Sequence, residues 1–74
     1  PGETYRILHR LPFNLKKIRR EIKSFGAAHI VPQAFAVSAP ELYRQLKLKP
    51  GGTHFLFLTR FRGRSLVFWA LPHN

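Results

Sequence analysis

The chain has 74 residues, enough for one small domain, and a domain of that size buries only about 60% of its unfolded surface. It lacks cysteine, which excludes disulfides and thiolate metal ligands as sources of stability. Thirteen Lys and Arg against three acids give a net charge of +10. That excess favours a polyanionic partner, nucleic acid first, over a basic surface that serves only solubility.

Two further features bear on the context of the chain. It contains no methionine and begins at Pro1, so we expect residues 1–74 to be a single accessory domain taken from a larger protein. The longest apolar run covers residues 66–71, whereas a membrane helix needs about twenty residues. Since there is no signal-peptide pattern either, we expect a cytoplasmic domain without a membrane partner.

The chain begins with a predicted strand and a predicted helix. Residues 4–11 alternate in polarity and predict a strand that Pro12 ends. Asn14 is a good N-cap, and Gly26 stands where a left-handed C-cap is needed, so a helix is expected from Asn14 to about Phe25. One apolar stripe runs along this helix, at Leu15, Ile18, Ile22 and Phe25.

A second strand and a second helix follow. Residues 27–37 predict a strand at an edge or with a bulge, because Pro32 cannot donate to a ladder. Ser38 and Glu41 have the spacing of a capping box, in which each side chain bonds the other residue's backbone N–H. They predict a helix over residues 39–48, followed by a turn at Gly51-Gly52.

The last two strands are predicted at residues 53–61 and 65–71, joined by a short hairpin turn. The resulting order, β-α-β-α-β-β, predicts an α+β fold: a single two-layer domain with two helices packed on one face of a four-stranded mixed sheet. Both strands are apolar on both faces, so we expect the face without helices to expose aromatic side chains and to form an interface. The residues assigned to this interface are Phe55, Phe57, Phe61 and Trp69.

Three occupants of that apolar sheet face are considered, in decreasing order of preference. They are the rest of the parent protein, a second copy in a homo-oligomer, and stacked bases. Base stacking ranks last because it needs isolated aromatics with polar neighbours, and most neighbours here are aliphatic.

The basic residues form the main functional signal. The first helix carries like-charge pairs four residues apart, such as Lys16 with Arg20, which destabilise an isolated helix by about 0.2–0.5 kcal/mol each. Such a face is typical of a helix that binds phosphates. The second helix and its exit add Arg44, Lys47 and Lys49. The residues predicted to bind RNA are Lys16, Lys17, Arg19, Arg20, Lys23, Arg60, Arg62 and Arg64.

Catalytic and metal-binding patterns are not found in the sequence. The three acids do not form an acid/base pair, and the four histidines lack the close spacings of a metal motif. Gly51-Gly52 precedes a strand, so it cannot place a phosphate at a helix N-terminus. We therefore expect neither a catalytic residue nor a metal site in this domain.

The run at residues 38–59, S-x-x-E-L-Y-R-x-L-K-L-K-x-G-G-x-x-F-L-F-x-T, resembles the THUMP-like domain at the C-terminal end of certain bacterial class I SAM-dependent methyltransferases. The upstream L-P-F-N-L-K-K-I-R-R-x-I is similar to the first helix of that domain, and the resemblance extends over residues 5–70. It implies an RNA-binding accessory domain, for tRNA or rRNA, that is not itself catalytic. It also implies that the parent methyltransferase domain is a partner and that S-adenosylmethionine binds there, with no cofactor in this domain.

Two alternatives to RNA binding follow from other features. The apolar sheet face favours a protein–protein docking module without direct RNA contact. The order of helices and strands alone also occurs in the C-terminal domain of a bacterial translation initiation factor, which would imply ribosome binding without methylation.

Overall fold

The structure, a computed structural model, describes residues 4–33 and 35–73. Its elements follow the predicted β-α-β-α-β-β order and confirm the α+β class. They are β1 (Tyr5–Pro12), α1 (Leu15–Ile22), β2 (His29–Pro32), α2 (Ala39–Leu46), β3 (Phe55–Phe61) and β4 (Arg64–Pro72).

The four strands form one mixed sheet in the order β1-β4-β3-β2. β4 is antiparallel to both β1 and β3, whereas β2 is parallel to β3. β2 is therefore an edge strand, as Pro32 indicates, and it is much shorter than the predicted strand because pairing stops soon after Pro32. The last contact is from the Gln33 N–H to the Leu58 carbonyl, at 2.7 Å.

Both helices pack on one face of the sheet, as predicted. Leu56 pairs with Trp69 and Leu58 with Val67 across the β3–β4 ladder, so these four side chains point to the same side. There they meet the apolar stripes of the helices. The buried core includes Ile18 and Ile22 from α1, Leu42 and Leu46 from α2, and Leu56, Leu58, Val67 and Trp69 from the sheet.

The opposite side of the sheet, called the open face here, is lined by half-buried aromatic and aliphatic side chains. Strand register places its members on one side. The Tyr5 ring lies 5.0 Å from the rings of both Phe55 and Phe57, so the aromatics shield one another. Ile7 is 52% exposed. We define the open face by Tyr5, Ile7, His29, Val31, Phe55, Phe57, Leu66 and Phe68; the register places Phe61 on the same side, at the hairpin end of the sheet.

The assignment of Trp69 to the apolar sheet face is wrong. Trp69 is 6% exposed and belongs to the core under the helices. Its Nε1 donates to Nδ1 of His54 at 2.8 Å, and the Phe25 ring meets it edge-on at 5.0 Å. In a strand that is apolar on both faces, composition does not tell which face is inside; the register with the partner strand does.

β1 contains an irregularity that the alternating pattern did not predict. The register with β4 shifts between Ile7 and His9, so Leu8 is an extra residue in β1. Leu8 packs against the core instead of facing away from it. Odd-numbered residues of β1 therefore face away from the helices before the bulge and towards them after it.

The first helix begins as predicted. The Asn14 Oδ1 accepts from the Lys17 N–H at 3.1 Å, which confirms the N-cap. The helix ends at Ile22, three residues before the predicted end. Phe25 instead stacks on the His54 ring at a centroid distance of 4.0 Å, and Gly26 has the expected positive φ of 71°.

The capping box predicted for α2 does not form. Ser38 is the N-cap residue, but its side chain makes no capping hydrogen bond. Glu41 is engaged elsewhere: Arg44 Nε donates to its Oε2 at 2.7 Å, and Arg44 Nη2 donates to its other oxygen. With both carboxylate oxygens bonded to Arg44, Glu41 makes no hydrogen bond back to the start of the helix.

The N-cap residues of α1 and α2 should contribute differently to the free energy of unfolding. Asn14→Ala should lower the free energy of unfolding by about 1 kcal/mol, because it removes an N-cap hydrogen bond. Ser38→Ala should lower it by less than about 0.5 kcal/mol, as expected of a surface change that removes no bond. Urea denaturation followed by circular dichroism checks both, and equal losses would contradict the description of α2.

Candidate nucleic-acid interface

A groove of about 600 Å³ lies between α1 and the end of α2. We call it the helix groove. Its floor is apolar, formed by Ile22, Leu46 and Leu48, with Gly26 at one side. Its other lining residues are all cations: Lys16, Arg19, Arg20, Lys23 and Lys47.

The electrostatics of the helix groove are of one sign. No acid lines it, and all five of its cations are exposed. Among the described residues the one ion pair is Glu41 with Arg44, so none of the groove cations is neutralised within that part of the chain. A concave surface with several positive charges raises the local concentration of anions and is suited to phosphate.

Lys47 enters the groove through an unusual backbone conformation. It is the C-cap of α2, with φ 56° and ψ 43° in the left-handed region. This turn reverses the chain after Leu46, and the Leu48 N–H donates to the Tyr43 carbonyl at 3.0 Å. Lys47 is recognisably basic from the sequence. Its proximity to α1 depends on how the ends of two helices pack, and no local sequence pattern predicts that packing.

Arg44 is basic in the sequence but largely neutralised in the structure. Its hydrogen bonds and charge lower the pKa of Glu41, and the same bonds and the carboxylate's charge raise the pKa of Arg44. Both groups thus stay ionised and paired at neutral pH. Arg44 is 72% exposed in its side chain, which makes it a natural control for the groove cations.

A second groove, of about 1,000 Å³, lies where the β3–β4 hairpin meets the end of β1. We call it the hairpin groove. The hairpin turns through Arg62 and Gly63, whose φ angles of 52° and 77° fit the two-residue type I′ turn. The lining residues are Arg10, Leu11, Pro12, Phe13, Phe61, Arg62, Arg64, Ser65 and Leu66.

Six of the eight residues predicted to bind RNA therefore line one or other of two separate grooves. Four lie in the helix groove, and Arg62 and Arg64 lie in the hairpin groove. Lys17 and Arg60 line neither; Arg60 instead reaches the Gly63 carbonyl at 3.5 Å. Sequence reasoning missed Arg10, which β1 carries to the hairpin groove, because its polarity fitted an ordinary solvent-facing strand position.

Other site chemistries find little support in the described residues. Across residues 4–33 and 35–73, no group of three or more His, Cys, Asp or Glu side chains could hold a metal ion. In the same part of the chain, no helix has the length and apolar character needed to cross a bilayer.

Comparisons with known proteins place the chain in a family. No curated protein matches the chain. Among solved structures, the chain is similar to a crystal structure described as "putative methyltransferase from Porphyromonas gingivalis W83", with a TM-score of 0.83 and 24% sequence identity. All of this chain is covered but only 19% of that one, so the likeness shows the fold. A family model described as THUMP domain-like matches residues 2–72, and the chain therefore belongs to the THUMP domain-like family.

Proposed function

We propose that this domain binds structured RNA, tRNA or rRNA, on behalf of a SAM-dependent methyltransferase of which residues 1–74 form one accessory domain. The observation that carries the proposal is the helix groove, where five cations from two helices line one cavity without an acid. The family and the similar methyltransferase structure, which is far longer than this chain, support the enzymatic context. In this proposal the domain works in the cytoplasm, where such RNA is found.

The mechanism follows from the kind of contact that the groove offers. Lysine and arginine neutralise phosphates and release the counterions condensed on the nucleic acid, which gives affinity that falls steeply with salt. Contacts of this kind fix the position of the RNA but read little of its sequence. The domain would thus hold a substrate RNA while the choice of the methylated atom rests with the catalytic domain.

The residues that line the two grooves do not fit S-adenosylmethionine. Both grooves are lined by lysine or arginine and by no acid, and like charges disfavour the positively charged sulfonium of the cofactor. We therefore propose that the cofactor binds in the catalytic domain of the longer protein and assign it no step here.

Charge reversal tests the helix groove. Arg20→Glu, and likewise Arg19→Glu, should weaken binding of an unmodified tRNA transcript and reduce the slope of log K against log salt by about one for each phosphate that is no longer neutralised. Arg44→Glu changes the charge equally and should have the smaller effect, because Arg44 is paired with Glu41. Fluorescence anisotropy at two or more salt concentrations measures both quantities.

Two kinds of result would contradict RNA binding through the helix groove. A salt response near zero for the wild-type chain, or a dissociation constant above about 100 μM at low salt, which corresponds to less than about 5.5 kcal/mol of binding free energy, would overturn phosphate binding. Equal losses for Arg20→Glu and Arg44→Glu would show that net charge matters and the groove does not.

Lys47 allows stability and binding to be separated. Lys47→Gly should weaken tRNA binding because a groove cation is removed, yet raise the free energy of unfolding by about 1 kcal/mol, because glycine accepts the left-handed conformation without a Cβ clash. Lys49→Ala, which removes a cation outside the groove, should reduce affinity less. Anisotropy and urea denaturation are the measurements, and a Lys47→Gly protein with unchanged affinity would remove Lys47 from the site.

A second candidate function is docking against another protein surface, favoured by the open face. Both helices lie on the other side of the sheet, so the rings of Phe55 and Phe57 are only half-buried. We propose the rest of the longer methyltransferase chain as the occupant, since the similar structure has about four-fifths of its length outside this domain. This role uses a different face from the helix groove and is compatible with RNA binding.

Sedimentation and thermal denaturation test this docking role. The isolated chain should sediment as a monomer, and Phe57→Ser should lower the melting temperature of the longer protein more than that of the isolated chain. Lys17→Ala serves as a control that leaves both unchanged. Concentration-dependent dimerisation of the isolated chain would instead identify a second copy as the occupant.

A further inference from the structure

We propose that the hairpin groove binds a single-stranded RNA segment, with an unpaired base stacked on Phe61 and its neighbouring phosphates held by Arg10 and Arg64. This inference rests on the proposed function, since it assumes RNA as the partner. It adds a second RNA-binding site, separate from the helix groove, that is specific for single-stranded RNA.

Phe61 differs from the other aromatics of the sheet. It is 60% exposed, the most exposed of the large apolar side chains described, whereas Phe55 and Phe57 are half-buried and lie against each other and Tyr5. Its cross-strand partner is Arg64. Among the described residues no ring–ring contact involves Phe61, and cations flank it on both sides of the turn, so its exposed ring offers a surface on which a base can stack.

Arg62 adds a specific contact to this ring. Its guanidinium carbon lies 5.3 Å from the centroid of the Phe61 ring, a cation–π distance. The guanidinium lies over one face of the ring and leaves the other face for a base. A base stacked there would have the cation on the far side of the ring, in a site that combines stacking with arginine.

The charge and size of the hairpin groove fit the rest of a nucleotide. Arg10, Arg62 and Arg64 come from three different segments, and no acid is among the lining residues. The volume of about 1,000 Å³ is at the upper end of the 300–1,000 Å³ or so that small-molecule sites occupy. We infer that the phosphates on either side of a stacked base bind the arginines of the same groove.

Base pairing explains why the ligand is a single strand. In a duplex each base is already stacked between its neighbours, and a protein ring reaches only bases that are unpaired or splayed out. The helix groove has no aromatic lining residue. It can therefore bind the phosphates of single-stranded and double-stranded RNA alike. The two grooves are thus expected to differ in their preference for single-stranded over double-stranded RNA.

The test compares two probes, the single strand rU10 and a blunt RNA duplex of ten base pairs, on the complete 74-residue chain. Phe61→Ala should weaken rU10 binding about tenfold and leave duplex binding unchanged, while Phe61→Tyr should restore rU10 binding. Ile7→Ala is the matched control: Ile7 is another exposed apolar residue on the same sheet, 52% exposed, and its removal should change neither affinity. Thermal denaturation establishes that each variant is folded.

Several results would overturn the inference. These are an unchanged rU10 affinity in Phe61→Ala, an equal loss for the duplex, or a preference of the wild-type chain for an acidic peptide over rU10 that depends on Phe61. If duplex binding still depends on Arg19 and Arg20 in any of these cases, the inference about the hairpin groove fails but the proposed function stands. If the wild-type chain binds neither RNA, the proposed function fails with it.

Discussion

The register of the β3–β4 hairpin determines which side chains this domain buries and which it displays. The two-residue turn at Arg62 and Gly63 sets that register, and side chains alternate with a period of two, so a slip of one residue would exchange the faces. The observed register turns Leu58 and Val67 towards the helices. It leaves the ring of Phe57 on the open face, and it leaves the arginines of the turn at the exposed end of the sheet.

The distribution of charge is not explained by folding. The helix groove gathers five cations from two helices, and like charges one helical turn apart on α1 oppose helix formation. The acid of α2, Glu41, is paired with Arg44 on its own helix and does not offset them. A domain of this size is only marginally stable, yet it keeps these like charges together. An anionic partner that neutralises the cations would account for the arrangement.

Most local signals in the sequence predicted well, whereas side-chain positions that depend on tertiary contacts were missed. The Asn14 cap, the turn of the β3–β4 hairpin and the order of elements follow from neighbours in the chain, and all were confirmed. The α2 capping box failed because Glu41 had a competing partner one turn away. Trp69 was assigned to the wrong face because strand register decides burial, and Lys47 joins the helix groove only when two helix ends meet in space.

RNA binding by the folded domain is tested most directly by mapping the residues that the RNA touches. Titrating the ¹⁵N-labelled chain with an unmodified tRNA transcript and following the backbone amide chemical shifts reports every contact at once. We expect the shifts to concentrate on residues 16–23, on Lys47 and on the hairpin tip at residues 61–64. Shifts confined to the open face around Phe55 and Phe57, with α1 unchanged, would contradict RNA binding through the two basic grooves.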